Sequence, residues 1–109
     1  MTNYLFIETR DPFESRDTQF VEETAIALLK RGHAVTVFLM QNGVLASRRD
    51  AQCPALSRMV QAGVSLLADD FSLCERGLKP AELQSGIEPA SIDRLVDLLV
   101  QENSKAVWH

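Results

Sequence analysis

Residues 64–77, Val64-Ser65-Leu66-Leu67-Ala68-Asp69-Asp70-Phe71-Ser72-Leu73-Cys74-Glu75-Arg76-Gly77, decide how this chain reads. A short apolar run ends in two adjacent carboxylates. Residues 64–68 read as a strand, the third along the chain. The residues that follow predict a short helix through Glu75, with Asp70 as its cap and Gly77 as its stop. One helical turn past the carboxylates stands a thiol, Cys74. Ligands of α/β proteins bind beyond the carboxyl ends of parallel strands, so chemistry is expected here.

The pattern repeats toward the N-terminus. Residues 4–7, Tyr-Leu-Phe-Ile, and 35–40, Val-Thr-Val-Phe-Leu-Met, read as two further buried strands. Between them a helix is predicted over 18–30, capped by Asp17, with Phe20, Val21, Thr24, Ala25, Leu28 and Leu29 on one stripe. Lys30 and Arg31 suit the negative end of the helix dipole, and Gly32 stops it. Residues 44–47 read as a helical turn and 48–52 as a loop. Pro54 opens a helix whose stripe is Ala55, Leu56, Met59 and Val60. Residues 79–89 read as a connection with a helical turn near 81–83. Ser91 caps a last helix with Ile92, Leu95, Val96, Leu99 and Val100 on its apolar face, and 105–108 reads as a final strand. This alternation predicts an α/β domain: a mostly parallel sheet of four to five strands, helices on both faces, right-handed crossovers.

Length and composition narrow the function classes. The chain has 109 residues, the size of one domain spanning 1–109, and 46% of them are apolar. A formal net charge of −4 argues against nucleic acid as a partner. The first residues carry no basic segment of a signal peptide, and no apolar stretch approaches the ~20 residues that span a bilayer. Two cysteines without a targeting segment fit the reducing cytoplasm. They make neither a CxxC pair nor a zinc set, so no metal and no cofactor is expected.

Three loops should meet at the strands' carboxyl edge: 8–17, 41–52 and 69–74. Their polar side chains are Glu8, Arg10, Asp11, Gln41, Asn42, Arg48, Arg49, Asp69, Asp70, Ser72 and Cys74. Cys74 is the leading reactive candidate; the alternative is a half-buried thiol packed beside Leu73. Arg76 favours its thiolate, whereas Asp69, Asp70 and Glu75 oppose it. Cys53 lies in a loop on the same edge. Asp69 and Asp70 could share a proton or bind a cation, or serve as a helix cap and a loop-ordering carboxylate. His33 falls at the opposite edge and His109 is the last residue, neither with a partner visible in the sequence.

The segment Phe38-Leu39-Met40-Gln41-Asn42-Gly43-Val44 and the exit Leu67-Ala68-Asp69-Asp70-Phe71-Ser72 resemble the DsrE/DsrF-like family of small proteins of sulfur relay and sulfur oxidation. The resemblance spans nearly the whole chain. It implies a three-layer α/β/α, Rossmann-like or flavodoxin-like domain that forms dimers, trimers or hexamers. It also implies a sulfurtransferase-like persulfide carrier with Cys74 as acceptor and a sulfur-relay protein as partner. Sulfur-carrying relatives place their cysteine just beyond the third strand; here Asp69 and Asp70 hold that exit and Cys74 follows later. The competing expectation is a non-catalytic binding or assembly subunit, with Glu8, Arg10, Gln41, Asn42, Asp69, Asp70 and Ser72 lining a crevice for a small anion, a nucleotide or a protein. A metal-dependent hydrolase using Glu8, Asp69 and Asp70 is a third, weaker reading, since no ligand spacing is recognisable.

Overall fold

A computed structural model of the chain describes residues 2–11, 17–51 and 53–109. Its first strand, β1 (Asn3–Glu8), is followed by helix α1 (Asp17–Lys30), strand β2 (Ala34–Leu39) and a 3₁₀ helix over Gln41–Ser47. Helix α2 (Pro54–Ala62), strand β3 (Ser65–Asp69) and the short helix α3 (Asp70–Glu75) come next. A 3₁₀ turn (Pro80–Glu82), strand β4 (Ile87–Ala90), helix α4 (Ile92–Val100) and strand β5 (Ser104–Trp108) complete the order. All neighbouring strands pair in parallel, in the order β4-β3-β2-β1-β5. The predicted three-layer α/β architecture is therefore the observed one.

The two faces have separate cores. Phe6, Val35, Val37, Leu39, Leu66 and Ala68 point toward α1 and α2, where they meet Val21, Ala25, Leu56 and Met59. Leu5, Ile7, Phe38 and Leu67 point the other way and meet Leu95 and Leu98 of α4. Because successive side chains enter cores on opposite faces, the inner strands read as largely apolar runs. Helix α2 ends at Gly63 in the left-handed region (φ 107°), which glycine adopts without a steric cost.

Four local expectations need correction. The stretch 79–89 ends within β4, an edge strand carrying Pro89, whose missing N–H suits a strand paired on one side only. Asp69, not Asp70, caps α3; both carboxylates fit the pattern, and the helix starts one residue later than the strand ends. Phe20 lies exposed, so the buried stripe of α1 is narrower than the spacing implies. On α4 only Leu95 and Leu98 are buried; Ile92, Val96, Leu99 and Val100 face outward. The side chain of Asp17, read as a cap, lies outside the described residues, and the helix begins at that residue.

An ion pair ties α1 to α2. Arg58 donates through Nε to Glu22 Oε2 (2.5 Å) and through Nη2 to Glu22 Oε1 (2.9 Å). The hydrogen bond from Arg58, aided by its charge and opposed by partial burial, holds the Glu22 carboxyl below its ordinary value of 4.5. A carboxyl depressed in the folded state adds stability above its unfolded pKa and loses that contribution as pH falls through the folded one. Glu22→Gln should therefore lower stability at neutral pH, with the deficit shrinking as pH drops below about 4.5, the ordinary value for this group. Urea melts of both proteins across pH 3–7 check this. A deficit that stays constant with pH would place the effect elsewhere.

Close approach sets a second constraint. A Cβ on Gly43 would collide with the Glu8 carbonyl oxygen. That oxygen accepts from the Met40 N–H (2.9 Å), and the Gly43 N–H returns to the Met40 carbonyl (2.8 Å). The Asn42-Gly43 pair, often a hairpin marker, here lets the 3₁₀ helix lie on the exit of β1. Gly43→Ala should cost about 1–3 kcal/mol through this clash, read as a lower midpoint in thermal unfolding.

Candidate functional site

All five strands run to one edge, where Glu8 stands in register with Leu39 and Asp69 with Ala90. Of the residues expected there from sequence, Glu8, Gln41, Asn42, Asp69, Asp70, Ser72 and Cys74 follow the strand ends in separate groups, whereas Arg48 and Arg49 make their contacts elsewhere. Asp69 and Ser72 are buried, and they form the tightest junction of this edge. Asp69 Oδ2 accepts both the Ser72 N–H (2.9 Å) and the Ser72 hydroxyl (2.6 Å). Ser72 Oγ in turn accepts the Gln41 N–H (2.9 Å). Gln41 sits in the left-handed region (φ 50°), a conformation costing a non-glycine residue roughly 1–3 kcal/mol unless its surroundings hold it. The Ser72 hydroxyl supplies that hold and joins the exits of β2 and β3.

Arg76 closes the same side of α3. Its guanidinium donates to Asn42 Oδ1 through Nη2 (3.0 Å) and Nε (3.3 Å), and through Nη1 to the Ser72 carbonyl (3.4 Å). The cation expected to favour the Cys74 thiolate is thus engaged with Asn42. Asp69, Ser72 and Arg76 fall at i, i+3 and i+7 and share one flank of α3.

Cys74 occupies the opposite flank and is exposed. It opens, with Asp70 one turn before it, on a cavity of about 310 Å³ walled by Leu78, Lys79, Pro80 and Pro89. That cavity faces β4 and the segment after α3, not the junction around Gln41 and Asn42. Lys79, which the sequence reading did not single out, is the cation that lines it. Cys53 is buried at the start of α2, and loss of solvent pushes its thiol above the ordinary value. Both cysteines are free, and they sit in different parts of the fold.

Glu8 forms a third group. It is buried at the end of β1; its Oε1 accepts the Arg10 N–H (3.1 Å) and its Oε2 lies 3.1 Å from His109 Nδ1. His109 continues β5 alongside β1, donating its N–H to the Ile7 carbonyl (2.8 Å) and accepting from Thr9 N–H (2.9 Å). The histidine without a visible partner in the sequence thus has one in the fold, brought there by the last strand. His33, at the other edge, accepts the Thr2 N–H through Nδ1 (3.3 Å). Arg48 pairs with Asp50, and Arg49 donates to the Ala81 carbonyl, so neither contributes to the strand exits. Among the described residues no group of three or more His, Cys, Asp or Glu side chains is placed to hold a metal ion. No helix among them is long and apolar enough to cross a membrane.

The junction makes a measurable claim. Ser72→Ala removes a buried hydroxyl and leaves the Gln41 N–H without its acceptor, at an expected cost of about 1–3 kcal/mol. Ser72→Thr keeps the hydroxyl and should recover most of the loss. Denaturant unfolding of the three proteins tests the pair.

Comparison with known proteins places this geometry. The family described as DsrH like protein matches residues 12–105. The ychN protein of E. coli, a crystal structure, aligns over 100% of both chains at 18% identity with a TM-score of 0.88. MTH1491 of Methanobacterium thermoautotrophicum, a protein of unknown function, aligns over 100% of both at 17% identity with a TM-score of 0.82. At these identities the two likenesses establish the fold. No curated protein matches the chain. The DsrE/DsrF resemblance is met at the level of the sulfur-relay superfamily that DsrH-like proteins share, and the matching family within it is DsrH. The chain belongs to the DsrH-like family, a membership that points to a small protein associated with sulfur relay.

Proposed function

We propose that this chain is a sulfur carrier in which Cys74 accepts and hands on persulfide sulfur. One observation carries the reading: the Cys74 thiol on α3 is open to solvent beside a cavity, while the chain's other thiol, Cys53, is buried at the start of α2. Family membership supplies the chemical context. In the step, the Cys74 thiolate attacks the outer sulfur of a donor persulfide. A new S–S bond forms on Cys74, the donor's S–S bond breaks, and the donor leaves as a thiolate that takes up the proton lost from Cys74. No net oxidation occurs. Delivery to an acceptor thiol is the same exchange in reverse, and no resident cofactor takes part. The setting we propose is the reducing cytoplasm, with relay proteins as donor and acceptor, and self-association as a dimer, trimer or hexamer.

A second reading, an assembly subunit without chemistry of its own, draws support from the strand-exit junction. Asp69, Ser72, Gln41, Asn42 and Arg76 bond to one another, which leaves few free polar groups for an anion or nucleotide.

Intact-mass measurement after incubation with a persulfide donor separates the two. The carrier reading expects a gain of about 32 Da, one sulfur atom, removed by dithiothreitol and retained in Cys53→Ser. Cys74→Ser should take up none. Its remaining thiol, Cys53, should also alkylate slowly at pH 8, because a raised pKa leaves less thiolate at that pH. Absence of uptake by the parent protein, or uptake on Cys53 alone, contradicts the carrier.

A further inference from the structure

The two faces of the sheet are covered unequally. α1 and α2 lie on one face; on the other, α4 is the one helix among the described residues. All-parallel sheets are ordinarily buried on both faces. Here a row of large aliphatics on α4 remains in water: Ile92 is 52% exposed, Val96 49%, Leu99 43% and Val100 74%. With 3.6 residues per turn, these four form one stripe beside the buried Leu95 and Leu98 rather than opposite them. The right-handed crossover from β4 to β5 turns that stripe toward β5.

β5 meets it with an aromatic. Trp108 pairs in register with Ile7, whose side chain packs on the α4 side, so Trp108 projects to that same side. It is 66% exposed. Ala106, in register with Leu5, lies on the same face. The wall of α4 and the floor of β5 together make an apolar trough along the sheet's edge. The stripe from Ile92 to Val100 runs about 12 Å, enough to seat two or three turns of a helix.

We propose that this trough docks an apolar helix of a different protein, one flanked by lysine or arginine. Charge selects the occupant. Asp93 and Asp97, one turn apart, stand on the solvent side of the stripe. Neither carboxylate has a hydrogen bond or ion pair among the described residues. A second copy related by a two-fold axis would bring the same rim against itself, because such an interface uses one patch twice. Four carboxylates would then crowd one seam, on a chain whose net charge is already −4. A basic-flanked helix meets the same rim with opposite charge and covers the aliphatic stripe. The inference does not depend on Cys74.

Trp108 is the chain's one tryptophan, so its emission reports on the trough directly. The probes are two synthetic amphipathic helices of roughly 18 residues with the same leucine face, one flanked by lysine and the other by glutamate. The lysine peptide should bind saturably and shift the Trp108 emission to the blue, more weakly as salt rises. Val96→Asp should weaken it about tenfold or more, and the double change Asp93→Asn, Asp97→Asn several-fold, with a flatter salt dependence. Both variants alter exposed positions, and a thermal melt verifies that each folds. The glutamate peptide should leave the emission unchanged. Equal binding of both peptides, or no shift with either, overturns the proposal. So does an emission shift with protein concentration alone, accompanied in sedimentation by a dimer that Val96→Asp dissolves, since the occupant is then a second copy.

Discussion

Five strands running the same way, with a single reversal in the order in which they are laid down, govern everything else in this molecule. From β1 to β4 the chain steps steadily in one direction, and right-handed crossovers keep α1 and α2 on one face. The return from β4 to β5, beyond β1, sends α4 to the other face. Parallel pairing gathers every strand exit on one rim, which gives the fold its polar edge. The lone return helix leaves the second face partly open, which gives it an apolar one. Both surfaces follow from strand order before any particular side chain is considered.

On the rim, α3 does two jobs with its two flanks. A helix of six residues has little stability of its own. Leu73 anchors it in the core, Asp69 caps it, and Ser72 and Arg76 tie it to Gln41 and Asn42. These bonds occupy the flank toward β2. The flank toward β4 is left with Cys74 and its cavity. The thiol's exposure is thus a consequence of how the helix is fastened. The carboxylate at the strand exit has a structural task, so it does not compete with the cysteine for a chemical one.

The parts of this arrangement that the sequence disclosed are those set by neighbours along the chain. Three buried strands were legible as largely apolar runs, and the helices α1, α2 and α4 as apolar stripes. Strand β4 was not, since Ile87-Glu88-Pro89-Ala90 lacks both alternation and a full set of N–H donors, and only its pairing with β3 makes it a strand. Periodicity placed Ile92, Val96, Leu99 and Val100 on a common side of α4 but says nothing about what covers that side. Cys74 was found because strand ends are where chemistry gathers. Its separation from Gln41 and Asn42 was not, because the side of a helix that faces a neighbour depends on the neighbour. The bonds from Arg76 to Asn42, 34 residues apart, and from Glu8 to His109, 101 apart, exist through tertiary closure and leave no local trace.

The account turns on whether sulfur held at Cys74 can leave again for another thiol, since a cysteine that merely oxidises or traps sulfur is no relay. The direct measurement loads the protein with ³⁵S-labelled sulfane sulfur, removes the donor, and adds a reduced acceptor thiol that carries a distinct mass. The account predicts that label passes to the acceptor and that the protein returns to its unloaded mass with Cys74 free. Label that stays on the protein, or that appears as free sulfide without reaching the acceptor, would contradict it.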